Sequence, residues 1–321
     1  MTTMTVPEIP LAADRPAERL RRTAAAVRVH FTWWGVHRML TAQQREEMGD
    51  AYAADASFLT AGKKIVDVRH EAFRRLTSIR SRIVSYWRAL TLPYVEPGMR
   101  LIRQADIDVF VQTTERFREE LITAEADLNA VYGEMKADAR RRLGRLYDPS
   151  DYPTELRGLF DVSWEFPSVE PPSYLMRLNP ALYEQEQERI ARRFEEAVEL
   201  AEQAFVSEFS KLVSHLTERL SGTEDGDRKI FRDSAVTNLT DFFERFRTLN
   251  VRSSAQLDEL VGQATRIVSG IPAEDLRKSE SLRQHVATQL AGVQSVLDGM
   301  LIDRPRRRLI RNALSQNGGQ P

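Results

Sequence analysis

One uninterrupted apolar repeat limits the folds open to this chain more than any other feature of its sequence. Between Ile107 and Met135, apolar positions recur in alternating steps of three and four over about four heptads. The repeat predicts a long helix over about residues 106–147, with one apolar seam that favours a left-handed supercoil. The candidate seam residues are Ile107, Phe110, Phe117, Leu121, Leu128 and Met135.

A second long segment, residues 180–220, is predicted to be the partner of this helix. It carries its own apolar stripe, Pro180 suits a first helical turn, and Gly222 suits a helix end. We therefore expect a long antiparallel coiled-coil hairpin of these two helices. Their seams could pair within one chain or between two chains, and the sequence leaves that choice open.

Two short segments alternate apolar and polar residues with the period of a β-strand, Val27–Trp33 and Phe160–Phe166. Two strands are too few to stand alone, so we expect them to pair near one end of the helical body. Amphipathic periodicity predicts further helices over 63–90, 228–249, 254–269 and 279–302.

The predicted fold is mainly α: the coiled-coil hairpin, a small two-stranded β element and a C-terminal helical lobe. The loop at 221–227 suggests a domain boundary. The last residues, from Ser315 onward, are predicted to be disordered. The predicted divisions are a partly flexible N-terminal segment at 1–24, an elongated helical domain at 25–222, a helical lobe at 223–314 and a disordered tail at 315–321.

Composition excludes several classes of site. The absence of cysteine excludes disulfides, thiolate zinc sites and iron–sulfur clusters. A net charge of −1 argues against a uniformly basic nucleic-acid-binding coat. No apolar run reaches the roughly 18 residues of a membrane-spanning helix, and no signal peptide is apparent, so a cytoplasmic protein without a membrane partner is expected.

Motifs for catalysis are weak throughout the sequence. His70-Glu71 begins like a zinc-protease helix, but Arg74 stands where the second histidine is needed. His30 and His37 flank two tryptophans and need not converge on a metal. Lys63 follows a glycine at a predicted helix start, where a phosphate could sit, although the P-loop pattern is incomplete. We therefore predict no catalytic residue, no metal site and no cofactor.

Arginine clusters are the stronger feature, because arginine binds phosphate in a bidentate manner. One cluster ends the long helix at residues 140–145, a second lies at residues 304–311 near the C-terminus, and a third lies at residues 15–22 near the N-terminus. Acidic neighbours, including Glu134, Asp138 and Asp148, could neutralise the first cluster. The candidate nucleic-acid contacts are Arg140, Arg141, Arg142, Arg304, Arg306, Arg307, Arg308 and Arg311.

Several short motifs follow one another between about residues 25 and 220. They are an aromatic strand with Trp-Gly and a basic residue (Val29–Arg38), Thr-Ala-Gly-Lys-Lys (Thr60–Lys64), a Pro-interrupted helix start (Leu92–Pro97), a long helix, Tyr152-Pro153, and the strand Phe160–Phe166. In this order they resemble an uncharacterised, mainly helical family of bacteria and of phage or integrative elements. The family's gene context is similar to that of partners of MoxR-type AAA ATPases and von Willebrand A proteins. The resemblance implies an assembly or adaptor role with an AAA ATPase as a candidate partner, and it supplies no catalytic residues.

Together these features favour a non-enzymatic scaffold or adaptor, encoded by a phage or mobile element, that works through long helical faces. A protein partner or self-association is expected. The alternative is a nucleic-acid-associated protein that uses the arginine clusters, for which a steep fall of affinity with salt would be diagnostic.

Overall fold

The computed structural model describes residues 15–221 and 234–302. These residues are mainly α-helical with a small amount of antiparallel sheet, which confirms the predicted fold class. The helices are α1 (Pro16–Thr23), α2 (Ala42–Tyr52), α3 (Glu71–Leu90), α4 (Ile107–Leu143), α5 (Leu175–Leu178), α6 (Pro180–Ser221), α7 (Ser234–Leu249), α8 (Ala255–Val268), α9 (Ala273–Lys278) and α10 (Glu280–Ile302). The strands are β1 (Ala24–Trp33), β2 (His37–Met39), β3 (Gly62–Lys64), β4 (Thr91–Pro93), β5 (Met99–Arg103) and β6 (Phe160–Glu165).

The chain divides into two compact units between Leu200 and Ala201, within α6. The sequence placed its boundary later, between residues 222 and 223. Of the predicted N-terminal segment, Pro16–Thr23 forms α1, while residues 1–14 lie outside the described part of the chain. The predicted tail at 315–321 also lies outside it.

The two predicted strands pair in antiparallel fashion, with Phe31 opposite Val162 and Trp33 opposite Phe160. They do not form a two-stranded element, however. The sheet has four strands in the order β4-β5-β1-β6, and a separate pair is formed by β2 and β3. The expected two-stranded element is therefore corrected to a four-stranded sheet with β6 at one edge.

One face of this sheet packs on α3 and α4. The ring of Phe160 lies 4.9 Å from that of Trp33 and 6.2 Å from that of Phe73 on α3. The guanidinium of Arg80 lies over the Trp33 ring at 4.8 Å, where a cation is attracted to the π face. Burial of these aromatic rings forms the core of the first unit.

In the first unit the helical hairpin is formed by α3 and α4, and residues 180–200 of α6 are not its second helix. Arg82 near the end of α3 pairs with Glu120 at 2.6 Å, while Arg75, nearer its start, pairs with Asp127. The two helices are therefore antiparallel. The predicted helix over 63–90 starts only at Glu71, because residues 62–64 form β3.

The predicted seam is buried against α3 and the sheet rather than in a seam between two long helices. Within the first unit, the predicted pairing of α4 with the segment that starts at residue 180 is therefore wrong. Ile107 is half-buried, and Tyr132, which is not one of the predicted seam residues, is buried in the core of the first unit. The remaining seam residues are all buried: Phe110, Phe117, Leu121, Leu128 and Met135.

The first part of α6 packs instead on the connection between β4 and β5. The ring of Phe194 lies 5.8 Å from that of Tyr94, and Arg193 pairs with Glu96 at 2.6 Å. Burial raises the pKa of Tyr94 above its usual value. This contact accounts for the apolar stripe of α6 within the first unit.

The second unit is a helical bundle around a phenylalanine cluster. The rings of Phe209 and Phe242 stack 5.1 Å apart, and that of Phe246 lies 5.1 Å from that of Phe205. The helices predicted over 228–249, 254–269 and 279–302 correspond to α7, α8 and α10, although residues 222–233 lie outside the described ranges. The short helix α9 was not predicted.

Candidate functional site

A small lobe with exposed apolar side chains and a cleft both lie at one end of the α3–α4 hairpin, where α3 begins and α4 ends. Residues 37–64, here called the tip lobe, fold there as β2, α2 and β3. His37 pairs with Lys64 and Met39 with Gly62 in its two-stranded sheet. Because the first and last strands of the tip lobe are paired, the lobe begins and ends at the same place beside the hairpin.

Local sequence determines the fold of the tip lobe. Thr41 and Gln44 form a reciprocal capping box at the start of α2, with nitrogen–oxygen distances of 3.2 and 3.0 Å. At Gly49 the chain after α2 folds back closely, and an added Cβ would lie 2.7 Å from the carbonyl oxygen of Ala54. A side chain larger than hydrogen therefore does not fit at this position without a backbone shift.

A buried lysine attaches the tip lobe to the segment after α4. The Lys63 ammonium donates a hydrogen bond to the carbonyl oxygen of Leu146 at 2.7 Å and lies 2.7 Å from Oδ2 of Asp151. The second contact is an ion pair rather than an aligned hydrogen bond. Tyr152 also donates its hydroxyl to the carbonyl oxygen of Ile65 at 2.7 Å. Lys63 is therefore engaged within the protein, and the helix start expected beside it does not exist.

The tip lobe exposes three large apolar side chains. Met39 is 63%, Tyr52 79% and Phe58 88% exposed. Phe58 ends a 3-10 turn that is fixed by Asp55, whose carboxylate accepts from the amide and the hydroxyl of Ser57 at 2.8 and 2.7 Å. These hydrogen bonds hold the pKa of Asp55 below its usual value. This surface could not be predicted from the sequence, because the exposure of a single apolar residue leaves no local sequence pattern.

A cleft of about 720 Å³ lies between the start of α3 and the end of α4. We call it the hairpin cleft. Asp67 on its wall accepts from the Arg69 amide at 3.0 Å and from Nη1 of Arg142 at 2.9 Å. Hydrogen bonds from Arg69, first of all, and from Arg142 lower the pKa of the Asp67 carboxyl well below its usual range. The lining residues are Lys64, Val66, Asp67, Val68, Arg69, His70, Met135, Asp138, Ala139, Arg142 and Leu143.

The structure places the first predicted arginine cluster beside this cleft. Arg140, Arg141 and Arg142 are exposed at the end of α4, where cations favour the helix dipole. Arg141 pairs with Asp138, as the acidic neighbours suggested, and Arg142 pairs with Asp67, which was not foreseen. Arg141 and Arg142 are thus each paired with a carboxylate.

The other acidic neighbours and the second arginine cluster are not part of the cleft as the structure describes it. Glu134 is exposed on α4, and Asp148 accepts from the amide of Ser150 at 2.9 Å. The second arginine cluster lies entirely outside the described residues: Arg304, Arg306, Arg307, Arg308 and Arg311.

The histidines do not converge. His70 caps α3, with Nδ1 accepting from the amide of Ala72 at 3.3 Å. His30 lies on the sheet with Nε2 3.3 Å from Glu165, while His37 belongs to the tip lobe. Across residues 15–221 and 234–302, no group of three His, Cys, Asp or Glu side chains is placed to hold a metal ion.

The second unit has a cleft of its own, about 670 Å³, between α7 and α8. Phe243 and Val261 contribute apolar walls. At its rim Asn250 donates to Asp258 at 2.5 Å and accepts from the amide of Arg252 at 2.8 Å. Arg252 has a positive φ of 52°. This carboxamide link fixes the turn between the two helices.

Comparison with known proteins gives no relative: no protein-family model, no curated protein and no solved structure matches this chain. In the described ranges, no helix combines the length and the apolar character needed to cross a membrane.

Proposed function

We propose that this protein is an interaction protein that docks a partner protein through the tip lobe, rather than an enzyme. The observation that carries the proposal is the exposure of Phe58, whose side chain is 88% accessible. Single exposed apolar residues are common on protein surfaces. Here, however, Phe58 shares one small lobe with Tyr52 and Met39, so that three elements of the lobe each expose one large apolar side chain.

The rigidity of the tip lobe supports the same proposal. The Asp55–Ser57 hydrogen bonds hold the turn that presents Phe58, and the buried Lys63 holds the base of the lobe. Ordering a flexible loop on binding costs free energy, so a preformed turn retains more of the energy gained when its aromatic ring is buried. Aromatic side chains in such positions commonly supply much of the energy of an interface.

A photo-crosslinking amino acid in place of Phe58 tests this function directly in the cells that produce the protein. We expect a discrete crosslinked adduct, either with another protein or with a second copy of this chain. The matched control carries the same amino acid in place of Leu178, which is 77% exposed on α5. Equal crosslinking from both positions, or no protein adduct from position 58, would contradict the proposal.

The AAA ATPase implied by the sequence resemblance is one partner to test in this experiment, and a scaffold role in a phage or mobile element is proposed on the same basis. Purified candidates can be titrated against the protein and against a Phe58→Ser, Tyr52→Ser variant. We expect the double substitution to weaken binding at least about tenfold, because two aromatic contacts are lost.

Nucleic-acid binding is the second candidate, and the exposure of the arginine cluster supports it. Arg141 is 72% exposed despite its ion pair, and Arg142 is 59% exposed. Fluorescence anisotropy with a DNA duplex at low and high salt tests it. Affinity that falls steeply with salt, and falls further when Arg140, Arg141 and Arg142 become glutamine, would favour this function.

A further inference from the structure

The hairpin cleft combines an apolar floor with cationic walls. Val66, Met135 and Ala139 at its floor are each at most 6% exposed and belong to the core of the first unit. By contrast, Val68 and Leu143 are half-buried and present apolar surface to the cleft. Its volume of about 720 Å³ lies within the range of small-molecule sites. A cleft of this kind can shelter an apolar body while charged groups at its mouth remain in contact with water.

The charge of the walls favours an anion. Lys64, Arg69 and Arg142 face two carboxylates, Asp67 and Asp138, which leaves a surplus of one positive charge. Asp138 is also paired with Arg141, which is outside the lining, and this pairing raises the effective surplus. His70 adds a donor, because Nδ1 accepts from a backbone amide and the neutral ring then carries its proton on Nε2.

The floor favours an aliphatic ligand. The apolar residues that line the cleft are all aliphatic or small, and the one ring among the lining residues is the imidazole of His70, whose Nδ1 is held by the Ala72 amide. A nucleotide base would therefore find no Phe, Tyr or Trp ring on which to stack. An alkyl chain fits such a floor through simple burial of apolar surface.

From these features we propose that the hairpin cleft binds a small aliphatic carboxylate, with its chain over Met135 and its anionic group at Arg142. In this arrangement Arg142 shares its donors between Asp67 and the ligand, as the planar guanidinium with five N–H groups permits. The site is separate from the exposed aromatic side chains of the tip lobe, and the inference does not rest on the proposed docking function.

Isothermal titration calorimetry of the full chain with octanoate and with octylammonium tests the charge selectivity. The two probes have the same chain length and opposite charge. We expect saturable binding of octanoate at one site per chain and at least about tenfold weaker binding of octylammonium. Equal affinity for the two probes, or no saturable binding of octanoate, would overturn the proposal.

Variants locate the anionic group. Arg142→Gln should weaken octanoate binding about tenfold, whereas Arg140→Gln, at the same helix end but outside the lining, should leave it unchanged. Asp67→Asn should strengthen binding severalfold, because it removes the carboxylate that competes for Arg142. Equal losses in the Arg142 and Arg140 variants would show that general surface charge, not this site, attracts the probe.

The alkyl chain can be located independently by methyl NMR of a methionine-labelled protein. Met135 lines the cleft, while Met176 is 53% exposed on α5 and is not among the lining residues. We expect octanoate to shift the Met135 methyl resonance, assigned with a Met135→Leu variant, and to leave that of Met176 in place. A shift at Met176 with none at Met135 would place the probe elsewhere and overturn the proposal.

Discussion

The ammonium group of Lys63 lies 2.7 Å from Oδ2 of Asp151, and the lysine side chain is only 5% exposed. Arg38 approaches the other carboxylate oxygen at 3.7 Å, so that Asp151 joins both strands of the tip lobe to the segment after α4. A buried charge is tolerated in a protein only when it is paired and hydrogen-bonded. This ion pair therefore couples the folding of the tip lobe to that of the hairpin end.

Lys63→Met should destabilise the protein by about 3 kcal/mol, because it leaves the Asp151 carboxylate without its close counter-charge and the Leu146 carbonyl without its donor. Chemical denaturation monitored by circular dichroism measures this loss. Lys64→Met is the matched control, since its side chain is exposed and its effect should stay within about 0.5 kcal/mol. Equal stabilities of the two variants would mean that the pair does not hold the lobe.

Two adjacent residues of α4 differ in burial, so substituting each one tests which face of the helix is packed against the core. Leu121 is fully buried, whereas Ile122 is 56% exposed. Leu121→Ala should reduce the free energy of unfolding by about 2–5 kcal/mol, because it removes buried methyl groups and leaves a cavity. Ile122→Ala should cost less than about 1 kcal/mol in the same denaturation measurement. A large loss at Ile122 would instead indicate that this face is buried in an oligomer.

The long helix could be predicted from sequence, but its partner could not. A 3–4 repeat is a local property, so it locates the buried face of α4 at Leu121 and Leu128. Both α3 and the helix from Pro180 carry matching stripes, and periodicity does not distinguish them. The choice of α3 depends on the sheet, because Phe73 and Phe160 share one core with α4.

The sequence predicted neither the strands β4 and β5 nor the hairpin cleft, and the reasons differ. Thr91–Pro93 and Met99–Arg103 are short and flank a proline-containing turn, so their pattern is too brief to indicate strands. The hairpin cleft combines Asp67 with Arg142, which only the antiparallel packing of α3 and α4 brings together. Lysine is rarely buried, so the sequence did not indicate that Lys63 is engaged inside the protein instead of lying at a helix start open to a phosphate.

Glu125 secures the start of the edge strand β6. Its buried carboxylate accepts hydrogen bonds from the amides of Leu159 and Phe160 at 3.0 and 3.2 Å. Glu125→Ala should cost about 1–3 kcal/mol, because these donors lose their acceptor. Hydrogen exchange at both amides should quicken in this variant and stay unchanged in Glu119→Ala, whose side chain is exposed on α4. Unchanged exchange in both variants would show that the carboxylate is dispensable.

Two buried tyrosines predict a loss of stability in alkali. Burial raises the pKa of Tyr132 and of Tyr152 to about 12, from a usual value near 10.0. Their hydroxyls donate to the carbonyl oxygens of Pro153 and Ile65 at 3.1 and 2.7 Å, which also favours the neutral forms.

Because folding favours the neutral tyrosines, the stability that they contribute is complete below pH 10 and is lost as the pH rises towards about 12. We expect tyrosinate absorbance from these two residues only as the protein unfolds in that range. Tyr132→Phe and Tyr152→Phe should each remove one late-titrating group from the absorbance curve. Ionisation of every tyrosine near pH 10, with the near-ultraviolet circular dichroism of the folded protein intact, would contradict the burial of these two tyrosines.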